Sequence, residues 1–314
     1  MMLSRTADHL YWMSRQTERA ENLARMLDIH YRHSLLPHTA EEFERQWTAT
    51  LLSLGQLDAF QKQHGDPTAA TAFRYLAFDR ENPGSIVSCL GAARENARAI
   101  RGSITSEMWE TLNTTWLDVR SSTARATPEI GPFLEWVRYR AHLSRGVTLG
   151  TMLRDDAFQF TRLGTFLEGA DGTARMLLAR AQPGTELTDH ASVPDSYAWT
   201  LLLRSLSAFE VYRKVYRDAV TPRRVAELLI LRDDLPRSLH RCLLELHANL
   251  KLVGNQGSSE TERRAGALYS TLRYGRLEDL CKDGLQAYLQ EFLATLADLS
   301  WRIARDFLLP ATAY

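Results

Sequence analysis

The chain has 314 residues, 45% hydrophobic and 24% charged, the proportions of an ordinary globular protein with room for one large core or two small ones. Its 38 basic and 38 acidic residues cancel, which removes any global electrostatic reason to bind nucleic acid or an anionic membrane. No apolar run approaches the length of a bilayer span, and the opening Met1-Met-Leu-Ser-Arg-Thr-Ala-Asp lacks the apolar core of a signal peptide, so a cytoplasmic protein is expected.

Helical spacing dominates and strand-like alternation is nearly absent, which predicts an all-α fold. From about residue 5 to 31, Met13, Ala20, Leu23, Ala24, Leu27 and Tyr31 share one stripe of a long first helix. Pro37 ends it. A second long helix and a short one are then marked off by Gly65-Asp-Pro67 and Asn82-Pro-Gly84. Pro83-Gly-Ser85 reads as a capped helix start, with Asp79-Arg-Glu-Asn before it and the proline in the first turn. The helix it opens carries Arg94, Arg98 and Arg101 at i, i+4 and i+7, a basic stripe suited to a phosphate or to neighbouring acids such as Glu95 and Glu107. Breaks at Pro128 and Gly131-Pro132 precede a closing helix over residues 133–149. The second half is cut in matching places, at Pro183-Gly184, Pro194, Pro222, Pro236 and the loop 254–259, before a last helix over about residues 285–309.

The two halves also match residue by residue. Glu18, Ala20, Ala24, Arg25, Met26 and Leu27 return 150 residues later as Glu168, Ala170, Ala174, Arg175, Met176 and Leu177, with Glu21 matched by Asp171. Trp47-Thr and Ser53-Leu54 return 152 residues later as Trp199-Thr and Ser205-Leu206. Pro83-x-Ser85, Cys89-Leu and Asn96 return after 153 residues as Pro236-x-Ser238, Cys242-Leu and Asn249. This period is too long for a solenoid. It predicts two pseudo-symmetric repeats of about six helices each, residues 1–148 and 149–314, packed as one bundle-like domain.

The strongest candidate site lies on the first helix. Arg15, Glu18, Asn22 and Arg25 gather on the face opposite the apolar stripe, with Arg19 beside them. Such a set suits a carboxylate, phosphate or amide ligand. The persistence of the acid and the arginine at Glu168 and Arg175, while Arg15, Arg19 and Asn22 give way to Thr165, Gly169 and Gly172, leaves two readings open ahead of a plain solvated face. One is a ligand or partner site formed by Arg15, Glu18, Arg19, Asn22, Arg25, Glu168 and Arg175. The other is a buried Glu–Arg network that fixes helix packing. Only four of the 38 basic residues are lysines, so the surface is rich in arginine forks. No metal site is predicted, since His30-x-x-His33 with His38, and His240 with His247, lack the spacing of metal ligands. No cofactor is expected, because there is no glycine-rich phosphate loop and no nucleophile elbow. The three cysteines form no CxxC pair, and Cys89 and Cys242 read as small buried hydrophobes.

The opening Leu3-Ser-Arg-Thr-Ala-Asp-His-Leu-Tyr-Trp12, continuing to Glu18-Arg19 and Arg25, resembles the start of the bacterial alpha-E domain family, helical proteins with a Glu-Arg signature. The resemblance continues through residues 93–101, Met108-Trp-Glu-Thr-Leu-Asn113, Tyr212-Arg-Lys-Val-Tyr216 and Pro236-Arg-Ser238. In the second half the signature reads Glu168-Gly169, without its arginine. The family is typically found beside an ATP-grasp-type ligase, of the circularly permuted kind, and a transglutaminase-like protein. The resemblance therefore implies an accessory or scaffold role in an ATP-dependent peptide- or amide-bond-forming system, with those two proteins as partners. Two alternatives stand beside it. The chain is itself an enzyme acting on a carboxylate or peptide through the Glu18/Arg face, or it is a structural module that forms a homodimer through that face.

Overall fold

The computed structural model describes residues 2–33, 40–125, 129–181, 185–190, 192–255 and 257–309. The expected breaks at Pro37, Pro128, Pro183 and Gly184, and also His38 and Gln256, lie outside them. Among the described residues the chain is helical throughout, with no strand. The helices in chain order are α1 (Ser4–His33), α2 (Ala40–Ser53), α3 (Leu57–His64), α4 (Ala69–Ala77), α5 (Ile86–Ala99), α6 (Ser106–Arg125), α7 (Ile130–Thr151), α8 (Asp156–Arg180), α9 (Val193–Ser205), α10 (Phe209–Tyr216), α11 (Pro222–Leu231), α12 (Leu239–Val253), α13 (Ser259–Tyr274), α14 (Leu277–Leu280) and α15 (Leu285–Ile303). A short π-helical turn, Ala304–Leu308, finishes α15.

Helices α1 and α8 lie side by side at the centre. Helix α1 is flanked by α5 and α7 and touches α9; α8 is flanked by α12 and α15 and touches α2. The apolar side chains of α1 serve two cores. Ala20, Leu23, Ala24 and Leu27 pack with Trp47, Leu51, Phe60, Leu76 and Phe133. Leu10, Tyr11, Met13 and Met26 join a larger core with Leu163, Leu167, Trp199, Leu243 and Leu289. Between these faces the polar residues of α1 are buried too, which explains why the helix is long yet only weakly amphipathic.

Two glycines set the distance between the central helices. A Cβ on Gly164 would lie 2.3 Å from the Tyr11 carbonyl oxygen, and one on Gly172 would lie 2.2 Å from Asn22 Nδ2. Both Pro-x-Ser turns start helices, as expected, but the proline lies before the first helical turn and the serine is the cap. Ser85 Oγ accepts from the Ser88 amide at 3.2 Å, and Ser238 Oγ from the Arg241 amide at 3.0 Å. Cys89 and Cys242 sit buried one turn further on.

The described helices outnumber the roughly twelve expected, for a local reason. Gly55, at φ 67°, ends α2 early and lets α3 form before the Gly65 break. Ser207 and Arg217 adopt φ of 55° and 53°, splitting off α10 with no glycine or proline to announce it. Helix α7 runs to Thr151 and α8 begins at Asp156, so the chain turns just after the expected boundary at 148.

Candidate functional site at the seam of α1 and α8

The residues singled out on the first helix are turned inward, against α8. They divide into two charge clusters joined by one amide.

The first cluster surrounds Glu18 and Glu21, which are one turn apart on α1. Glu21 is 0% exposed. It accepts from Arg25 Nε at 2.9 Å and NH2 at 2.7 Å, pairs with Arg237 at 2.6 Å, and also bonds Arg145. Burial alone would raise its pKa, but Arg237, Arg145 and Arg25 outweigh this and hold it below the usual carboxylate range. Glu18 pairs with Arg237 at 2.8 Å and with Arg145 at 3.4 Å. Burial and the neighbouring Arg237 push the Arg25 guanidinium down to about 10, so it stays charged at neutral pH. Its NH1 group donates to the Ser205 carbonyl oxygen on α9.

The second cluster is centred on Glu168 of α8, 3% exposed. Arg15 Nε reaches its Oε2 at 2.8 Å, while Arg19 Nε and NH2 reach its two oxygens at 2.6 and 3.0 Å. Here too burial is overcome, by Arg15 and then Arg19, and the carboxyl is held low. Arg15 NH1 also donates to Ser300 Oγ at 2.8 Å, and its guanidinium lies over the Trp12 ring. One turn along α8, Arg175 grips Asp171 with Nε at 2.6 Å and NH2 at 3.1 Å. Its NH1 donates to the Ser53 carbonyl oxygen at the end of α2, mirroring the reach of Arg25 to Ser205. Asn22 ties the clusters together, donating to the Glu168 carbonyl oxygen at 2.9 Å and accepting from Arg237 NH1 at 2.8 Å.

Beside the second cluster a cavity of about 330 Å³ opens between the central helices and α15. Arg15, Arg19, Asn22, Glu168 and Arg175 line it, together with Asp171, Gln56, Gly84 and Ser300. Beside Glu18 and Arg145 the corresponding space is only about 30 Å³. Thus Arg15, Arg19, Asn22, Glu168 and Arg175 meet at the cavity, whereas Glu18 and Arg25 belong to the closed ion network. Arg94, Arg98 and Arg101 do not join either. Arg94 bonds Asn113 and Glu95, Arg98 bonds Glu95 at 2.9 Å, and Arg101 lies over Trp109.

Sequence reasoning missed Arg145 and Arg237, two of the three arginines around Glu18 and Glu21. For Arg237 a signal existed, because it fills the variable position of Pro-x-Ser where the first half has Gly84. For Arg145 there was none.

Among the described residues no group of three His, Cys, Asp or Glu side chains is placed to hold a metal. His30 is buried instead, its Nε2 2.6 Å from Thr50 Oγ1 and its ring stacked on Trp47. Burial, aided by His33, pushes its pKa down to about 3. The folded protein therefore keeps His30 neutral while the unfolded chain takes up a proton below about 6.5. Stability is expected to fall on acidification from that point, by up to about 2 kcal/mol by pH 5 at roughly 1.4 kcal/mol per unit. Urea titrations of wild type and His30→Gln at pH 7 and 5 check this; an equal loss in both proteins would refute it.

No helix among the described residues is long and apolar enough to cross a membrane. Residues 2–308 match the Alpha-E family, described as a predicted alpha-helical domain with a conserved ER motif. Uncharacterized proteins of Mycobacterium bovis and Mycobacterium tuberculosis are each 27% identical to the chain over 313 residues. The match covers 92% of this chain but 35% of theirs, so the chain spans about a third of the length of these curated relatives. No solved structure matches the chain.

Proposed function

The chain belongs to the Alpha-E family, and we propose that it is the accessory, ligand-holding part of an ATP-dependent peptide- or amide-bond-forming system in the cytoplasm. In this reading an ATP-grasp-type ligase performs the chemistry, with a transglutaminase-like protein as a further partner. The observation that carries the proposal is the saturation of every buried carboxylate at the seam by arginine. General acid–base catalysis needs a pKa near the working pH. Glu21 and Glu168 are driven the other way, and Glu18 is clasped between Arg145 and Arg237. The thiols of Cys89 and Cys242 are poor nucleophiles as well, since burial pushes them up to about 12. What the seam retains is an open, arginine-lined cavity, which is equipment for binding. Glu18, 4% exposed and paired with Arg145 and Arg237, offers less to an enzyme or to a homodimer built on that face than to the accessory reading.

The same reading treats the chain as a duplicated unit. Its support is the reciprocal reach of Arg25 to Ser205 and of Arg175 to Ser53, together with the matched Pro-x-Ser caps. The share of the mycobacterial relatives lying outside the match suits a unit that works joined to, or beside, other parts.

Purified alone and given ATP, amino acids and short peptides, the protein is expected to hydrolyse no ATP and form no amide. Turnover should begin only when the ligase is added. Turnover by the isolated chain, lost in Glu18→Gln, would overturn the proposal in favour of the enzyme.

A further inference from the structure

We infer that the cavity between α1, α8 and α15 binds a small monoanionic carboxylate that carries an apolar chain. Charge and donor balance lead there. Three arginines, Arg15, Arg19 and Arg175, face two acids, Glu168 and Asp171, leaving one positive charge in surplus. The acids have nothing left to offer a cation: both oxygens of Glu168 are taken by Arg15 and Arg19, and both of Asp171 by Arg175. Donors remain instead. Arg19 spends Nε and NH2 on Glu168 and keeps NH1, and with its side chain 34% exposed it stands at the mouth. Gln56 spends Oε1 on Asn82 and keeps its Nε2 amide for the cavity.

The matching position in the second half shows how this space differs from a closed one. There Arg237 inserts its guanidinium between Glu18, Glu21 and Asn22. The first half has Gly84 instead, and Gln56 Nε2 lies 2.5 Å from where a Cβ would sit. A carboxylate is favoured over phosphate because a dianion would exceed the single surplus charge and would face Glu168 and Asp171 at close range. Leu54, Leu167, Met176 and Leu296 also line the cavity and offer apolar surface to the rest of the ligand. At about 330 Å³ the cavity is at the small end of ligand sites, which limits the occupant to an N-blocked amino acid or the C-terminal end of a peptide.

This inference deepens the accessory reading and rests on it for what becomes of the bound carboxylate. Binding itself is measured on the isolated full chain, so either can fail alone. Calorimetric titration with N-acetyl-L-leucine is expected to show saturable one-to-one binding. Two variants close the cavity in different ways. Gly84→Arg supplies the side chain found at Arg237; its Cβ would displace the far end of Gln56 and press on Asn82 Oδ1 at 3.3 Å. Ala297→Phe blocks the mouth from an exposed position on α15. Each should weaken binding at least tenfold while leaving the melting temperature near that of wild type. N-acetyl-L-leucinamide, which lacks only the carboxylate, should not compete, and inorganic phosphate should bind more weakly than N-acetyl-L-leucine. No binding by wild type, equal binding by N-acetyl-L-leucinamide, tighter binding by phosphate, or unchanged binding in a folded Ala297→Phe would each overturn the inference.

Discussion

Glu21→Gln is expected to lower the free energy of unfolding by about 3–5 kcal/mol, the usual cost of stranding buried charge. The side chain keeps its shape and loses its charge, leaving Arg25, Arg145 and Arg237 around a neutral amide with only Glu18 to balance them. The effect carries a pH signature. A carboxyl held below its ordinary 4.5 contributes stability that is fully present above that pH and is lost as the pH falls through the lower folded value. The gap between wild type and variant should therefore be widest near neutrality and should narrow below about pH 4.5. Denaturant titrations at pH 7 and 3.5 measure both. A variant as stable as wild type at pH 7 would mean that the network contributes nothing to the fold.

Gly164→Ala is expected to cost about 3 kcal/mol, at the upper end of overpacking, because the clash is with main chain. The added methyl would meet the Tyr11 carbonyl oxygen at 2.3 Å and Ser14 Oγ at 2.2 Å, so the two central helices would have to move apart. Everything at the seam depends on their separation. Arg15 and Arg19 would lose their hold on Glu168, and the cavity would change shape. The control is Gly146→Ala on α7, where nothing lies within 4 Å of the new methyl. That change should stabilise by about 0.5–1 kcal/mol through helix propensity alone. Thermal melts of the two variants side by side decide the matter; equal effects would show that the close approach of α1 and α8 is not a constraint.

Gly164 also marks where sequence reasoning reaches its limit. The helices themselves were legible, because α1 and α8 carry apolar residues at helical spacing and the Pro-x-Ser turns announce the starts of α5 and α12. The replacement of Asn22 by Gly172 reads in sequence as the loss of a polar group. In the fold it makes room, since the Asn22 amide itself occupies the space beside Gly172. The same holds for the acids. That Glu18 and Glu168 persist was visible, but their partners were not. Glu168 is served from the neighbouring helix by Arg15 and Arg19, while Glu18 is served by Arg145 and Arg237 from α7 and the turn before α12. Pairings over such separations leave no local pattern. Likewise, the left-handed residues Ser207 and Arg217 end helices without the glycine or proline that sequence punctuation relies on.

The central claim is that this protein holds a ligand for a partner that does the chemistry. The rate of amide formation in a mixture of the ATP-grasp-type ligase, ATP, substrate and this chain tests it most directly, with wild type compared against Gly84→Arg. No product is expected without the chain, steady product with wild type, and at least a tenfold slower rate with Gly84→Arg at an unchanged melting temperature. A ligase that runs at full rate without the chain, or equally well with the closed-cavity variant, would contradict it.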